Sequence, residues 1–430
     1  MSEKRIIRPA GRLRGEISVP GDKSISHRSI MLGSLAEGAT LVHGFLHGED
    51  NHATLKAFRS MGVVVEELPG GELRIEGKGL NGLSEPDDVI DCGNSGTTIR
   101  LMTGLLAGQS FFSVLTGDRY LRKRPMKRVV SPVAAMGARI WGRGGGDLAP
   151  LAIQGSPLRS LEYVSPIASA QVKSAVLFAG LYAEGVTSVR EPHLSRDHSE
   201  RMLNYFGADV RPFSGGVSLV GRPRLEGREV FVPGDISSAA FFLVAALIAP
   251  DSELLIRNVG VNPARSGIID ILQAMGGDLQ VLDRRELSGE PVADILVRTS
   301  RLKGIEIGGD LVPRAIDEFP AVSVAATFAE GTTLIRDARE LRVKETDRIA
   351  AMTSELNRLG GHVEALEDGM IVNGVERLAG GRVSSWGDHR IAMSLAVASL
   401  RAGSEVTIDD TVCTATSFPG FWELLEIIKG

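Results

Sequence analysis

The chain has 430 residues, more than one hydrophobic core usually covers, so two domains are expected. Its net charge of −5 and aromatic content of 5 %, with no basic stretch interleaved with aromatics, exclude a nucleic-acid channel. Two cysteines exclude a disulfide framework and a structural zinc site, and MSEKRIIRPAG has no apolar leader, so a reduced cytoplasmic protein off the membrane is expected.

Positive charge is local, at Lys4-Arg5, Arg119 to Arg128 and Arg342 to Arg348. Such focusing suits a small anionic substrate. The first site signal is Val19 to Leu35. There the turn Pro20-Gly21-Asp22 precedes Lys23, Ser24, Ser26, His27 and Arg28, and then an apolar helical run. Free N–H groups, hydroxyls and fixed cations at a helix start suit a phosphate or carboxylate. The same opening returns as Val232-Pro233-Gly234-Asp235 before Ile236-Ser237-Ser238-Ala239-Ala240. His43, His47 and His52 lack a metal-binding spacing and imply no acidic partner, so they are read as surface or supporting residues.

A phrase of apolar helix, small-residue turn and β-type run recurs six times, with turns near 38, 108, 185, 251, 331 and 403. A second phrase ends an amphipathic helix in glycine, at Gly62, Gly137, Gly207, Gly276 and Gly360, before a strand. Alternating helix and strand predicts an α/β architecture of six units, three to a domain. If Val19 to Asp22 and Val232 to Asp235 are the crossings, the N-terminal strand belongs with the second half.

The second unit opens with Asp91-Cys92-Gly93-Asn94-Ser95-Gly96-Thr97-Thr98-Ile99-Arg100, a backbone cradle for an anion. It is neither a nucleotide P-loop nor a dinucleotide fingerprint, since no G-K-[ST] or G-x-G-x-x-G is present. Arg119, Arg122, Arg124, Lys127 and Arg128 follow, and arginines can fork onto an anion. Unit three holds Ser169, Gln171 and Lys173 at a helix start, then the polar run Glu191 to His198. A Ser-His-Asp triad there is weak, because no G-x-S-x-G elbow precedes a candidate serine. Later units place Asp317-Glu318 before an apolar helix, Lys344, Glu345 and Arg348 on one helix face, and Asp388-His389-Arg390 at another helix start.

The set K-S-x-S-H-R, G-N-S-G-T-T-x-R, R-P-M-x-R, S-A-Q-x-K, R-V-K-E-T-D-R and G-D-H-R, spanning 23 to 390, resembles the 3-phosphoshikimate 1-carboxyvinyltransferase (EPSP synthase) family of enolpyruvyl transferases. The resemblance implies two similar α/β domains, each of three β-α-β-α-β-β units, as an inside-out α/β barrel. The first would cover 22–240 and the second 1–21 with 241–430, the active site lying in the cleft between them. It implies transfer of the enolpyruvyl group of phosphoenolpyruvate to the 5-hydroxyl of shikimate 3-phosphate, through a non-covalent tetrahedral adduct that loses phosphate. No cofactor or metal is implied, and a monomer is expected.

Residue by residue, the resemblance puts Lys23, Ser24, Arg28, Ser169, Gln171, Asp317 and Lys344 on shikimate 3-phosphate, with Ser195 and Arg196 from a loop that varies in the family. Lys23, Gly96, Arg124, Gln171, Arg348 and Arg390 fall on phosphoenolpyruvate. Asp317 is implied as the base on the 5-hydroxyl, and Glu345 as the acid and base at the methylene carbon. Which of Lys23, Glu345 or His389 moves which proton stays open. One departure is Thr416, where some members carry lysine; Lys123, Lys127 or Arg128 is the candidate replacement. Ser169-Ala170-Gln171 resembles a subgroup with members less sensitive to glyphosate, a phosphoenolpyruvate mimic, whereas Gly96 argues for sensitivity; an intermediate or ordinary response is expected. The rival reading, the enolpyruvyl transferases of UDP-N-acetylglucosamine, usually has a reactive cysteine where Arg119 to Arg128 stand here. A non-enzymatic repeat scaffold leaves the acid–cation pairs at successive unit starts unexplained.

Overall fold

The structure, a computed structural model, describes residues 3–429. Six apolar helices alternate with six amphipathic ones. In chain order they are α1 (Lys23–Leu35), α2 (Glu49–Ser60), α3 (Gly96–Ala107), α4 (Lys127–Ala135), α5 (Ala170–Gly180), α6 (His198–Tyr205), α7 (Ile236–Ile248), α8 (Gly267–Ala274), α9 (Phe319–Thr327), α10 (Arg348–Arg358), α11 (His389–Ser399) and α12 (Phe421–Ile427). Odd-numbered helices are interior elements. Every residue of α7, α9 and α11 is buried, and α1, α3 and α5 surface only near their amino ends, at Lys23, Ser24, Thr97, Ala170 and Gln171. A helix that is apolar all round has to be enclosed, and each fully buried Leu or Phe contributes roughly 1.5–3 kcal/mol.

Small sheets do the enclosing. Five have four strands and one has three. Each interior helix runs directly into a strand, as α1 into Glu37–His43 and α5 into Val186–Arg190. That strand takes a parallel neighbour on one side and an antiparallel one on the other, as Val186–Arg190 does with Glu162–Val164 and Gly216–Val220. Side chains alternate in and out along these strands, so one sheet face covers the helices. The six recurring phrases of the sequence are these six helix–strand turns.

All five glycines of the second phrase close an amphipathic helix in the left-handed region, with φ between 85° and 106°. A side chain there would strain the backbone, which is why the helix stops and a strand begins. The Pro-Gly-Asp opening needs its glycine for another reason: a Cβ on Gly21 would lie 1.9 Å from the Gly44 carbonyl oxygen. Asp22 and Asp235 then cap α1 and α7 in the same way, accepting from the N–H of Ile25 and Ser237.

The chain divides into two compact units. The first is Gly21–Val232 with Glu286–Glu290; the second is the chain up to Pro20, Pro233–Arg285 and the chain from Pro291 onward. Each has its own hydrophobic core, around α1, α3 and α5 in the first and α7, α9 and α11 in the second. Strand Arg14–Ser18 pairs in parallel with Glu253–Gly260, and Lys4–Ile7 pairs antiparallel with Val406–Asp409, so the N-terminal strands build sheets of the second unit. No helix among the described residues is long and apolar enough to cross a membrane.

One histidine differs from its sequence reading. His43 has two acidic partners, Glu72 at 2.6 Å and Glu229 at 2.9 Å. Parallel pairing of Glu229–Phe231 with Glu37–His43 brings the second of these from far along the chain.

Candidate active site

In the first unit the proposed residues gather where α1, α3 and α5 begin. Lys23 is the first residue of α1 and pairs with Asp50 of α2. Arg28 lies one turn on and is almost fully buried. Its guanidinium donates to the Ser24 carbonyl at 3.0 Å, Ser199 Oγ at 2.7 Å and Ser174 Oγ at 2.8 Å. Burial pulls this guanidinium down to about 10, against the carboxylates of Glu200 and Asp22, so it remains cationic at neutral pH.

The same helix face excludes two polar residues that its opening motif offered. Ser26 Oγ turns inward and accepts from Leu46 N–H at 3.1 Å. His27 is fully buried against Thr54, and burial, with Lys23 and Arg28 adding to it, holds its pKa well below the ordinary value. It is a neutral core histidine, not an anion ligand.

Ser95 caps α3 at Gly96, and Ser169 caps α5. Gln171 joins the two starts, its Oε1 accepting from Arg100 at 2.5 Å and its Nε2 donating to Thr97 at 3.1 Å. Arg124 reaches over Gly96 and donates to Asn94, which in turn donates to Asp118 at 2.8 Å. Ser195 and Arg196 lie on the loop before α6, where Ser195 Oγ donates to Glu191 at 2.8 Å. Three helix amino ends and several guanidinium groups are the chemistry that holding an anion requires.

In the second unit, Asp317, Lys344, Glu345 and Arg348 form one network, although Lys344 and Glu345 do not share a helix face with Arg348: α10 starts only at Arg348, capped by Asp347, and the two residues precede it. Asp317 Oδ1 lies 3.4 Å from Lys344 Nζ and 3.5 Å from Arg348. Arg348 also pairs with Glu345 at 2.6 Å and Asp388 at 2.8 Å. It is among the largest fully buried side chains; burial works against its charge, but Asp388, Glu345 and Asp317 outweigh burial and raise its pKa. Asp388 caps α11 through the Arg390 N–H, which fixes the start of the helix that carries Arg390. The Arg390 guanidinium faces Glu318 at 3.9 Å.

Residues to which sequence reasoning gave no role complete both networks. Glu318 is fully buried and takes Arg265 at 2.8 Å and Ser237 Oγ. Lys173 and Glu191 stood inside recognised motifs without a role, whereas Arg265, in Val261 to Gly267, carried no signal at all. Both thiols are held protonated: burial raises Cys92, which sits in the core, and pushes Cys413 up to about 12. Neither has the thiolate character of a reactive cysteine. Among the described residues no three His, Cys, Asp or Glu side chains group as a metal ion requires.

Comparison with known proteins bears on the chain as a whole. Positions 7–425 match the family model described as EPSP synthase (3-phosphoshikimate 1-carboxyvinyltransferase). The 3-phosphoshikimate 1-carboxyvinyltransferase of Syntrophotalea carbinolica is 68 % identical over 429 residues, covering 100 % of both chains. That of Geotalea uraniireducens is 69 % identical over 420 residues and 98 % of each chain. Among solved structures, an EPSP synthase from Acinetobacter baumannii superposes with a TM-score of 0.89 at 49 % identity, over 100 % of this chain and 98 % of that one. Matched from end to end in both sequence and structure, the chain belongs to the EPSP synthase family.

Proposed function

We propose that this chain transfers the enolpyruvyl group of phosphoenolpyruvate to the 5-hydroxyl of shikimate 3-phosphate and releases phosphate. It supplies the shikimate pathway of aromatic amino acid biosynthesis, and it acts as a cytoplasmic monomer. The observation that carries this reading is Asp317, a carboxylate held by Lys344 and Arg348 within 3.5 Å. Asp317 takes the proton of the 5-hydroxyl as its oxygen attacks C2 of the enol phosphate, while the methylene carbon gains a proton. The tetrahedral adduct then loses phosphate and the methyl carbon gives its proton back, with Glu345 as the carboxylate for both carbon steps. Lys23, Ser24, Arg28, Ser169, Gln171, Ser195, Arg196 and Lys344 hold shikimate 3-phosphate. Arg124, Arg348 and Arg390, with Lys23, Gln171 and the Gly96 backbone, hold phosphoenolpyruvate. Cations on both substrates offset the repulsion of two phosphorylated anions. Phosphate release that requires both substrates tests the reading; release from phosphoenolpyruvate alone, or no release with both present, sinks it.

Gly96 supplies a sharper expectation. A Cβ there would lie 3.0 Å from Arg124 Nη1 and 3.5 Å from Arg100 Nη1. Gly96→Ala therefore shifts the Arg124 guanidinium by a few tenths of an ångström. KM for phosphoenolpyruvate should rise roughly tenfold, about 1.4 kcal/mol, and the inhibition constant of glyphosate should rise with it, while KM for shikimate 3-phosphate stays unchanged. Steady-state kinetics with each substrate varied in turn decides this.

A further inference from the structure

The polar run Glu191 to His198 is only partly used by the reaction just described. Its first residue, Glu191, carries no role there, yet it is among the most enclosed carboxylates of the first unit, with its side chain 2 % exposed. Glu191 Oε1 accepts from the Ser169 N–H at 2.9 Å. Ser195 Oγ donates to the same carboxylate at 2.8 Å, and the Ser195 N–H points to Oε2 at 3.4 Å. One carboxylate thus fastens the cap of α5 to the loop before α6.

A bare carboxylate beside a site for a phosphorylated substrate would repel the ligand. Lys173 answers that charge. Its Nζ lies 2.9 Å from Glu191 and 2.8 Å from Glu200, and it donates to the Ser195 carbonyl at 3.2 Å. Burial works against this ammonium, but the two carboxylates outweigh burial, so it stays charged. The Ser169 hydroxyl keeps its own proton for a ligand, because Glu191 holds that residue through the backbone. Ser195 has a single hydroxyl proton, directed at Glu191 here, and donating to the substrate requires that proton to turn.

We propose that Glu191, neutralised by Lys173, is a positioning residue for shikimate 3-phosphate, holding Ser169 and Ser195 in one fixed pair. The proposal rests on the substrate roles given above to those two serines. It predicts an effect confined to one substrate. Glu191→Gln breaks the pair with Lys173 and should weaken shikimate 3-phosphate binding on the order of tenfold, the worth of one charge-assisted hydrogen bond, with KM for phosphoenolpyruvate unchanged. Glu191→Asp keeps the charge but is one methylene too short to reach both serines. It should show the same split while keeping the melting temperature, and it serves if the glutamine variant does not fold.

Calorimetric titration with shikimate 3-phosphate and KM values for both substrates read the result. Because part of the effect runs through Ser195, E191Q combined with Ser195→Ala should weaken binding by less than the product of the two single effects. Equal rises in both KM values, a fall in melting temperature alone, wild-type binding by E191D, or a fully multiplicative double variant overturns the proposal. Normal binding by Ser195→Ala alone overturns the substrate role of Ser195 instead, and E191Q then tests Glu191 through Ser169.

Discussion

Asp317→Asn should lower kcat by about 10²–10⁴-fold while shikimate 3-phosphate still binds. The amide keeps the shape of the carboxylate beside Lys344 and Arg348 but has no basic lone pair with which to take a hydroxyl proton. Loss in the chemical step and not in binding is the signature of a base. Single-turnover phosphate release measures the first quantity and calorimetric titration the second. Wild-type turnover by this variant removes Asp317 from the mechanism. Lost binding with an unchanged rate at saturation would make it a substrate anchor only.

Arg348→Met should be the most damaging single change to the second unit. It takes the guanidinium away from Asp388, whose side chain is fully buried, and removes the 2.6 Å contact of Glu345. Removing one partner of a buried ion pair costs about 3–5 kcal/mol, because the remaining charge has neither water nor a counter-ion. Arg348→Lys keeps the charge but not the fork that reaches three carboxylates, so it should fall between the two. Since the chain has two compact units, thermal unfolding is better followed by hydrogen exchange in α10 and α11 than by one global midpoint. Protection in those helices that matches the wild type would show that the network does not support the fold.

Much of the architecture could be read from the chain because its signals are local. Interior helices announce themselves as apolar on every face, and the five glycines that stop the amphipathic helices sit one after another in the same phase. Helical geometry only partly separates the residues of the opening motif. Ser24 and Arg28 are four apart and share a face, but so are Lys23 and His27, so spacing alone does not show that Ser26 and His27 turn into the core, where Leu46 and Thr54 meet them. What the chain hid is pairing across distance. Glu229 reaches His43 over 186 residues, and Arg265 reaches Glu318 over 53; Glu318 stands in a recognised pair of carboxylates, but nothing around Arg265 suggests the contact. Lys173 and Glu191 were visible as polar residues near a site, but their pairing needs the sheet that brings the Glu191 loop to the start of α5.

The pairing of Lys4–Ile7 with Val406–Asp409 bears on how the polypeptide is made. At roughly 5–20 residues per second, a ribosome needs about 20–80 s to travel between those two strands. Through that interval the leading strand has no mate, while the Gly21–Val232 portion has already emerged with all its own sheet partners. Nascent chains halted after Val232 should therefore resist protease from Gly21 onward and be trimmed ahead of it.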